Sequence, residues 1–306
     1  MKIKRGFTIM LCILLSAVIL SGCSVASDYR EADALSYSVE DVSAIKIAYG
    51  AGDVRFFRSD GDQFILKEYM TVVKDRYRAK VESGDGTIGI KEGSKPLFGG
   101  FSRYAEIYLP DNFKGELTVT TSHGEINCSD IQLNLSALRF DTSAGAVRLS
   151  NVEADSVYLS TTHGNMYLGE LTAETVRLET THGSVACEAL RGNTTYTTTH
   201  GSFRVKYAEG CGSFTVNNTG DLQIDFAEVK GNISFYNKNG NIKVALPEQF
   251  DFTFSATTKN GSIRTSFQSA LTVDGKSFYG NVGENPAFRV SAQTVNGAIE
   301  VNRTNG

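Results

Sequence analysis

The chain contains no tryptophan, only four prolines and five cysteines in 306 residues, and no excess of basic charge, with 30 Lys+Arg against 34 Asp+Glu. Each shortage excludes something. A formal charge of −4 lacks the basic footprint that nucleic acid requires, so no nucleic-acid partner is expected. No apolar run reaches the roughly 20 residues of a clean membrane-spanning helix. The longest is the 14-residue stretch from Phe7 to Leu20. Pro96, Pro110, Pro247 and Pro286 leave residues 111–246 free of proline. Proline cannot donate to a β-ladder, so that interval is open to continuous sheet. No cysteine pair has redox spacing. With 41% apolar and 21% charged residues, the composition is that of a globular protein.

The N-terminus reads as an address. Lys2, Lys4 and Arg5 form a basic head, the Phe7–Leu20 stretch follows, and Leu20-Ser21-Gly22-Cys23 closes the segment. Small residues before a cysteine after such a core look like a bacterial lipobox, in which the thiol is acylated and cleavage makes the cysteine the first residue. Residues 1–22 are therefore expected to be a lipoprotein signal peptide and Cys23 the lipidated residue, with a short uncleaved anchor or ordinary secretory signal as the alternative. Both readings put the rest of the chain outside the cytoplasm, and the lipobox reading holds it at a bacterial membrane through the N-terminal lipid. Processing removes three basic residues and no acid, leaving 27 basic against 34 acidic residues. Such a body is expected to stand off anionic headgroups. Residues 23–40, rich in Ser, Ala, Asp and Glu, read as a lipidated flexible tether.

Beyond it a repeat runs through the chain. TTSHGEINC, DTSAGAVRL, STTHGNMYL, ETTHGSVAC, TTTHGSFRV, VNNTGDLQI, YNKNGNIKV and TTKNGSIRT share one template: polar residues, a turn residue, glycine, then alternating apolar positions. The glycines are Gly124, Gly145, Gly164, Gly183, Gly201, Gly220, Gly240 and Gly261, spaced 18 to 21 residues apart. A second alternating run precedes each turn, as in Ser156-Val-Tyr-Leu-Ser and Ser213-Phe-Thr-Val-Asn. Period-two alternation of β-branched and aromatic residues indicates half-buried strands. One repeat thus holds two strands, with a short third around Val152 and Leu171. Units this short close no core alone and must stack. The expectation is an all-β, parallel β-solenoid (β-helix-like) with about 19-residue coils and capped ends. One domain spans 41–306, with core repeats over about 115–265 and an insertion at 264–287. A propeller would need blades about twice as long. Gly52 and Gly86 read as degraded coil turns, and Asn296-Gly297 as the last one.

Ile45-Lys-Ile-Ala-Tyr-Gly-Ala-Gly-Asp-Val, the Glu106-Ile-Tyr-Leu-Pro run, the serial Thr-Thr-His-Gly or Asn-Gly turns and the closing Asn296-Gly-Ala-Ile-Glu-Val together resemble a bacterial adhesin-type β-strand-repeat family of unknown function. The resemblance covers most of the chain after Cys23. It implies a β-solenoid-like domain at the cell envelope, in some relatives tied to envelope-stress systems, and it supplies no catalytic residues.

All four histidines, His123, His163, His182 and His200, precede a repeat glycine, where other coils carry Asn239, Asn260 and Asn296. A metal or pH-sensing stripe is the sharp reading. Turn chemistry is the preferred one, because His and Asn tolerate the left-handed backbone that a residue before glycine in a tight turn can require. Joint protonation of such a row would also be opposed by like charge. Cys128 and Cys187 fall in a core slot three coils apart, too far for a disulfide, and Cys211 is undecided. The threonines at 161–162, 180–181, 194–199 and 257–258 read as an outer, solubilising face or as a binding face. Lys74 to Lys80 reads as an exposed strand of alternating charge. No phosphate loop, metalloprotease signature, nucleophile elbow or recurring carboxylate pair is present, so no catalytic, cofactor or metal site is assigned. The expected function is a non-catalytic envelope lipoprotein presenting a rigid β-repeat surface for binding, adhesion or scaffolding, with an envelope protein or surface polymer as partner. An accessory or sensor role in envelope-stress signalling stands second, and a polysaccharide-active enzyme third.

Overall fold

The computed structural model describes residues 28–267 and 271–304. Cys23 and the signal segment lie outside them. The N-terminal part comprises β1 (Arg30–Ser38), β2 (Ala44–Tyr49), β3 (Asp53–Arg58), β4 (Gln63–Met70), a 3-10 turn (Asp75–Tyr77), β5 (Lys80–Gly84), β6 (Thr87–Lys91), β7 (Arg103–Leu109) and β8 (Glu116–Thr121). The repeats form β9 (Ile126–Thr142), β10 (Val147–Thr161), β11 (Met166–Thr180), β12 (Val185–His200), β13 (Phe203–Thr219) and β14 (Leu222–Asn239). The C-terminal part holds β15 (Ile242–Leu246), β16 (Phe252–Thr258), β17 (Ile263–Thr265), β18 (Thr272–Asp274), β19 (Ser277–Val282), β20 (Phe288–Asn296) and β21 (Ile299–Arg303).

Strands β9 to β14 are each one coil, bent in the middle and paired in parallel with the next. In β10, Val147, Leu149 and Val152 point inward from the first arm and Val157 and Leu159 from the second, while Arg148 and Tyr158 face out. Expectation gave each coil a short third strand; instead Val152 and Leu171 lie within β10 and β11. Register carries like residues into ladders: Leu149 faces Leu168, which faces Cys187, all buried. Tyr196, Phe203, Phe214 and Phe235 continue the core as a packed aromatic run, with centroids 4.2 to 5.5 Å apart. Each such side chain removed from water contributes roughly 1.5–3 kcal/mol, which is what holds coils that have no core of their own.

Both ends are interleaved. At the start, β2 sits between β6 and β8, and β3 between β7 and β9. At the finish, β20 sits between β14 and β16, and β21 between β15 and β17. The last coil of the sequence is therefore the penultimate coil of the stack. Antiparallel strands then close the stack: β1 on β4, β4 on β7 and β5 on β6 at one end, β19 on β16 and β18 on β19 at the other. A parallel stack cannot end by tight hairpins, whereas antiparallel strands can fold back over its edge with short loops.

Three local expectations are corrected. Residues 30–38 of the expected tether form β1, because Ala32 is buried and the strand pairs with the whole of β4. Lys74–Lys80 is largely a loop with the 3-10 turn, not an exposed strand. Gly86 is not a coil turn: Asp85 and Gly86, at φ 50° and 70°, join antiparallel β5 and β6 in a two-residue hairpin of the primed kind. The 264–287 stretch carries the β18–β19 hairpin.

Candidate binding surface

Six of the nine coil turns follow the pattern Thr-x-(His or Asn)-Gly. Its threonine faces inward: Thr121, Thr161, Thr180, Thr198, Thr258 and Thr294 are all buried. A buried hydroxyl needs a partner, and the turn supplies it. Thr180 Oγ1 donates to the Gly183 carbonyl at 2.8 Å and lies 2.6 Å from Thr198 Oγ1. Thr161 Oγ1 accepts from the Gly164 N–H at 2.8 Å. In one coil Asn237 fills this slot and donates to the Gly220 carbonyl at 2.7 Å. The first threonine of each Thr-Thr pair at 161 and 180 is thus internal, which corrects the reading of those pairs as a wholly outer face.

The glycines stack in the spatial order Gly124, Gly145, Gly164, Gly183, Gly201, Gly220, Gly240, Gly297, Gly261. At each, a Cβ would overlap the carbonyl oxygen of the glycine in the adjoining coil, beginning with Gly52 beneath Gly124. Left-handed backbone is not the reason for the preceding residues. The non-glycine residues of positive φ are Asp41 and Asp85 alone among the described residues. None of His123, His163, His182, His200, Asn239, Asn260 or Asn296 is among them, so the turn-conformation argument fails for that slot. Side-chain stacking replaces it. The rings of His163 and His182 are parallel within 1° at 5.0 Å, and those of His182 and His200 within 5° at 4.8 Å. Asn218 Nδ2 then meets His200 Nε2 at 2.7 Å. The row goes on through Asn239 Nδ2 to Asn218 Oδ1 (3.0 Å), Asn296 Nδ2 to Asn239 Oδ1 (2.6 Å) and Asn260 Nδ2 to Asn296 Oδ1 (2.8 Å). Ala144 separates His123 from this row. Parallel rings do not converge on a metal, and no group of three His, Cys, Asp or Glu side chains placed to hold a metal ion is present among the described residues.

The outer face of the second arm changes character along the stack. Over β9 to β11 it is charged and aromatic: the Arg139 guanidinium lies 4.1 Å from the Tyr158 ring centre, and the Tyr158 hydroxyl donates to Glu179 at 2.8 Å. Partial burial pushes the Glu179 carboxyl up, but the Tyr158 hydroxyl and Arg177 outweigh it and hold the group below its ordinary value. From β12 onward two uncharged rows take over, flanked on the same face by Lys238 and Arg289. One row runs Thr195, Ser213, Ser234, Ser291, Ser255, and beside it Thr197, Thr215, Tyr236, Gln293, Thr257. All ten side chains are exposed or half-buried, and a shallow groove of about 260 Å³ runs across the last four strands. Thr195, Thr197 and Thr257 were legible as candidates for this face; the serines and Tyr236 were not. The available signal was the alternation itself, which puts residues i and i+2 of a strand on one side. A second groove of about 480 Å³, beside Pro110 and Asn134, carries Arg58 and Asp111, which are paired with each other.

Residues 42–302 match the family described as Toastrack DUF4097. No curated protein matches the chain. Among solved structures, a "putative adhesin" of Bacteroides fragilis is 13% identical, covering 88% of this chain and 96% of its own, with a TM-score of 0.41. A "putative cell adhesion protein" of Clostridium sporogenes is 10% identical, covering 90% and 100%, with a TM-score of 0.31. A "putative lipid binding protein" of Parabacteroides distasonis is 13% identical, covering 88% and 96%, with a TM-score of 0.37.

Proposed function

The chain belongs to the Toastrack DUF4097 family, and on that footing we propose that it is a non-catalytic binding protein of the bacterial cell envelope. In this reading a lipid on Cys23 attaches it to the membrane, and the two hydroxyl-rich rows of β12, β13, β14, β20 and β16 engage a surface polymer. The observation that carries the proposal is the two-row array from Thr195 to Thr257. Its side chains repeat about every 4.8 Å along the stack and about 6.7 Å across it. Hydroxyls and an amide at that spacing can exchange hydrogen bonds with successive sugar hydroxyls, and the Tyr236 ring offers a surface for stacking.

The test is capture from native envelopes with the full-length protein, followed by glycan and protein analysis of what is retained. Wild type is expected to retain a wall or surface polysaccharide, and Thr215→Glu combined with Tyr236→Ala to lose it. Capture of one dominant membrane protein, unaffected by those substitutions, would overturn the polymer reading in favour of a signalling accessory.

A further inference from the structure

The N-terminal corner of the stack carries a second surface of different chemistry. Leu97 and Phe98, at the tip of the loop between β6 and β7, are each 91% exposed. The adjoining β4–β5 loop exposes Val72 and Val73. Isolated apolar residues on a surface need no explanation, but two fully exposed neighbours at a loop tip beside two more form a patch. The patch is built on a firm base. Thr71 N–H donates to the Ser102 carbonyl at 3.1 Å, and Ser94 N–H donates to the Arg76 carbonyl at 3.0 Å, tying the loops together. Beneath them Ala32, Met70 and Tyr77 form a small separate core with Phe101 against it. Arg103 is locked to Glu92 at 3.3 Å and donates to the Tyr77 carbonyl at 2.8 Å.

The rim is basic. Residues 71–80 and 92–102 carry five basic side chains (Lys74, Arg76, Arg78, Lys80 and Lys95) against two acids (Asp75 and Glu92), in a chain whose formal charge is −4. The position also matters. β1 begins at this corner: Arg30 faces Met70, which faces Arg103, and the Tyr29 ring lies 5.0 Å from that of Tyr104. Asp28 is five residues from Cys23, a reach of at most about 18 Å.

We propose that Leu97 and Phe98, rimmed by Lys74, Arg76 and Lys95, insert into the headgroup–acyl boundary of an anionic phospholipid bilayer and fix the angle at which the solenoid stands on the membrane. This rests on the membrane attachment proposed above, but not on its chemistry, since an acylated Cys23 and a retained Phe7–Leu20 segment both deliver Asp28 to the same surface. Apolar side chains entering the boundary with Lys and Arg at headgroup level is the general pattern of interfacial binding. The expected standoff of an anionic body from anionic lipid then fails at this corner, because local charge and not net charge meets the headgroups within a Debye length. The hydroxyl face, starting at β12, lies about seven strand spacings from β1, roughly 34 Å up the stack.

The chain has no tryptophan, so Phe98→Trp installs a single indole reporter. The full-length variant, reconstituted in phosphatidylcholine–phosphatidylglycerol vesicles, is expected to show blue-shifted emission that lipids brominated near the headgroup quench strongly. Tyr279→Trp, at the opposite end, is expected to stay water-like and unquenched, and adding Lys74→Glu and Lys95→Glu to Phe98→Trp should abolish most of the quenching. A Phe98→Trp protein that floats with vesicles while its indole emission stays water-like overturns the insertion alone. One that fails to float overturns the membrane attachment and the insertion together. Equal quenching of both reporters overturns the upright orientation.

Discussion

The carbonyl oxygen of Gly164 occupies the place where a β-carbon on Gly183 would have to sit, with the carbonyl carbon 2.8 Å away. Glycine at this position is therefore demanded by contact between coils and not by its own backbone angles. Gly183→Ala should cost about 3 kcal/mol or more, near the upper end for overpacking, and Gly183→Val should be no milder. A left-handed requirement alone would make alanine cost about 1–2 kcal/mol. Urea unfolding of the two variants separates the explanations.

The neighbouring slot should behave oppositely. His182→Asn continues a row that already passes from imidazole to carboxamide between His200 and Asn218. A shift within about 0.5 kcal/mol of wild type is expected. A loss several times larger, read in the same unfolding experiment, would mean that the imidazole stack itself holds the coils together.

Thr180 joins two coils through one hydroxyl. Thr180→Val leaves the Gly183 carbonyl and the Thr198 hydroxyl without that partner in a buried place, so about 1–3 kcal/mol should be lost. Removing both hydroxyls, in Thr180→Val with Thr198→Val, should cost less than the sum of the single changes. Thermal melting of the single and double variants measures that coupling, and strict additivity would refute the ladder.

Glu68 is 1% exposed and accepts from the Tyr49 hydroxyl at 2.7 Å. Burial pushes its carboxyl up from 4.5, against the opposing effects of the Ala79 N–H, the Tyr49 hydroxyl and Arg103. A raised value means that the native state holds the proton more tightly than the unfolded chain does. Stability from this group is present below pH 4.5 and is lost as pH rises through the native value. Glu68→Gln should therefore gain on wild type as pH climbs from 4.5 towards neutrality, as judged by denaturant midpoints across that range.

Of the three cysteines in the solenoid, Cys128 and Cys187 are buried, and burial drives the first thiol well up and the second up to about 12. Cys211 is half-buried. Thiolate is the reactive form, so peptide mapping after maleimide labelling should find Cys211 modified in the native protein and the other two only after unfolding.

Much of the architecture was written in the chain. The 18-to-21-residue spacing of the repeat glycines, alternation around Val147 and Val157, and freedom from proline between 111 and 246 together require stacked parallel strands, because each is a local rule that one coil must obey. The interior place of Cys128 and Cys187 followed from the same alternation. What stayed hidden depends on neighbours distant in sequence. Residues 45–58 return to pair across both β6–β7 and β8–β9, and the last coil slips between two earlier ones, so chain order misplaces both caps. Thr161 and Thr162 are alike as letters, yet one is buried beneath the turn and the other exposed. The serines of the hydroxyl face are spread over separate strands and become a surface only when register lines them up. Composition and period determined that coils would form and which residues would face in. Tertiary pairing alone decided which coil lies on which, and hence what each face presents, because interstrand contact joins residues by register and not by sequence distance.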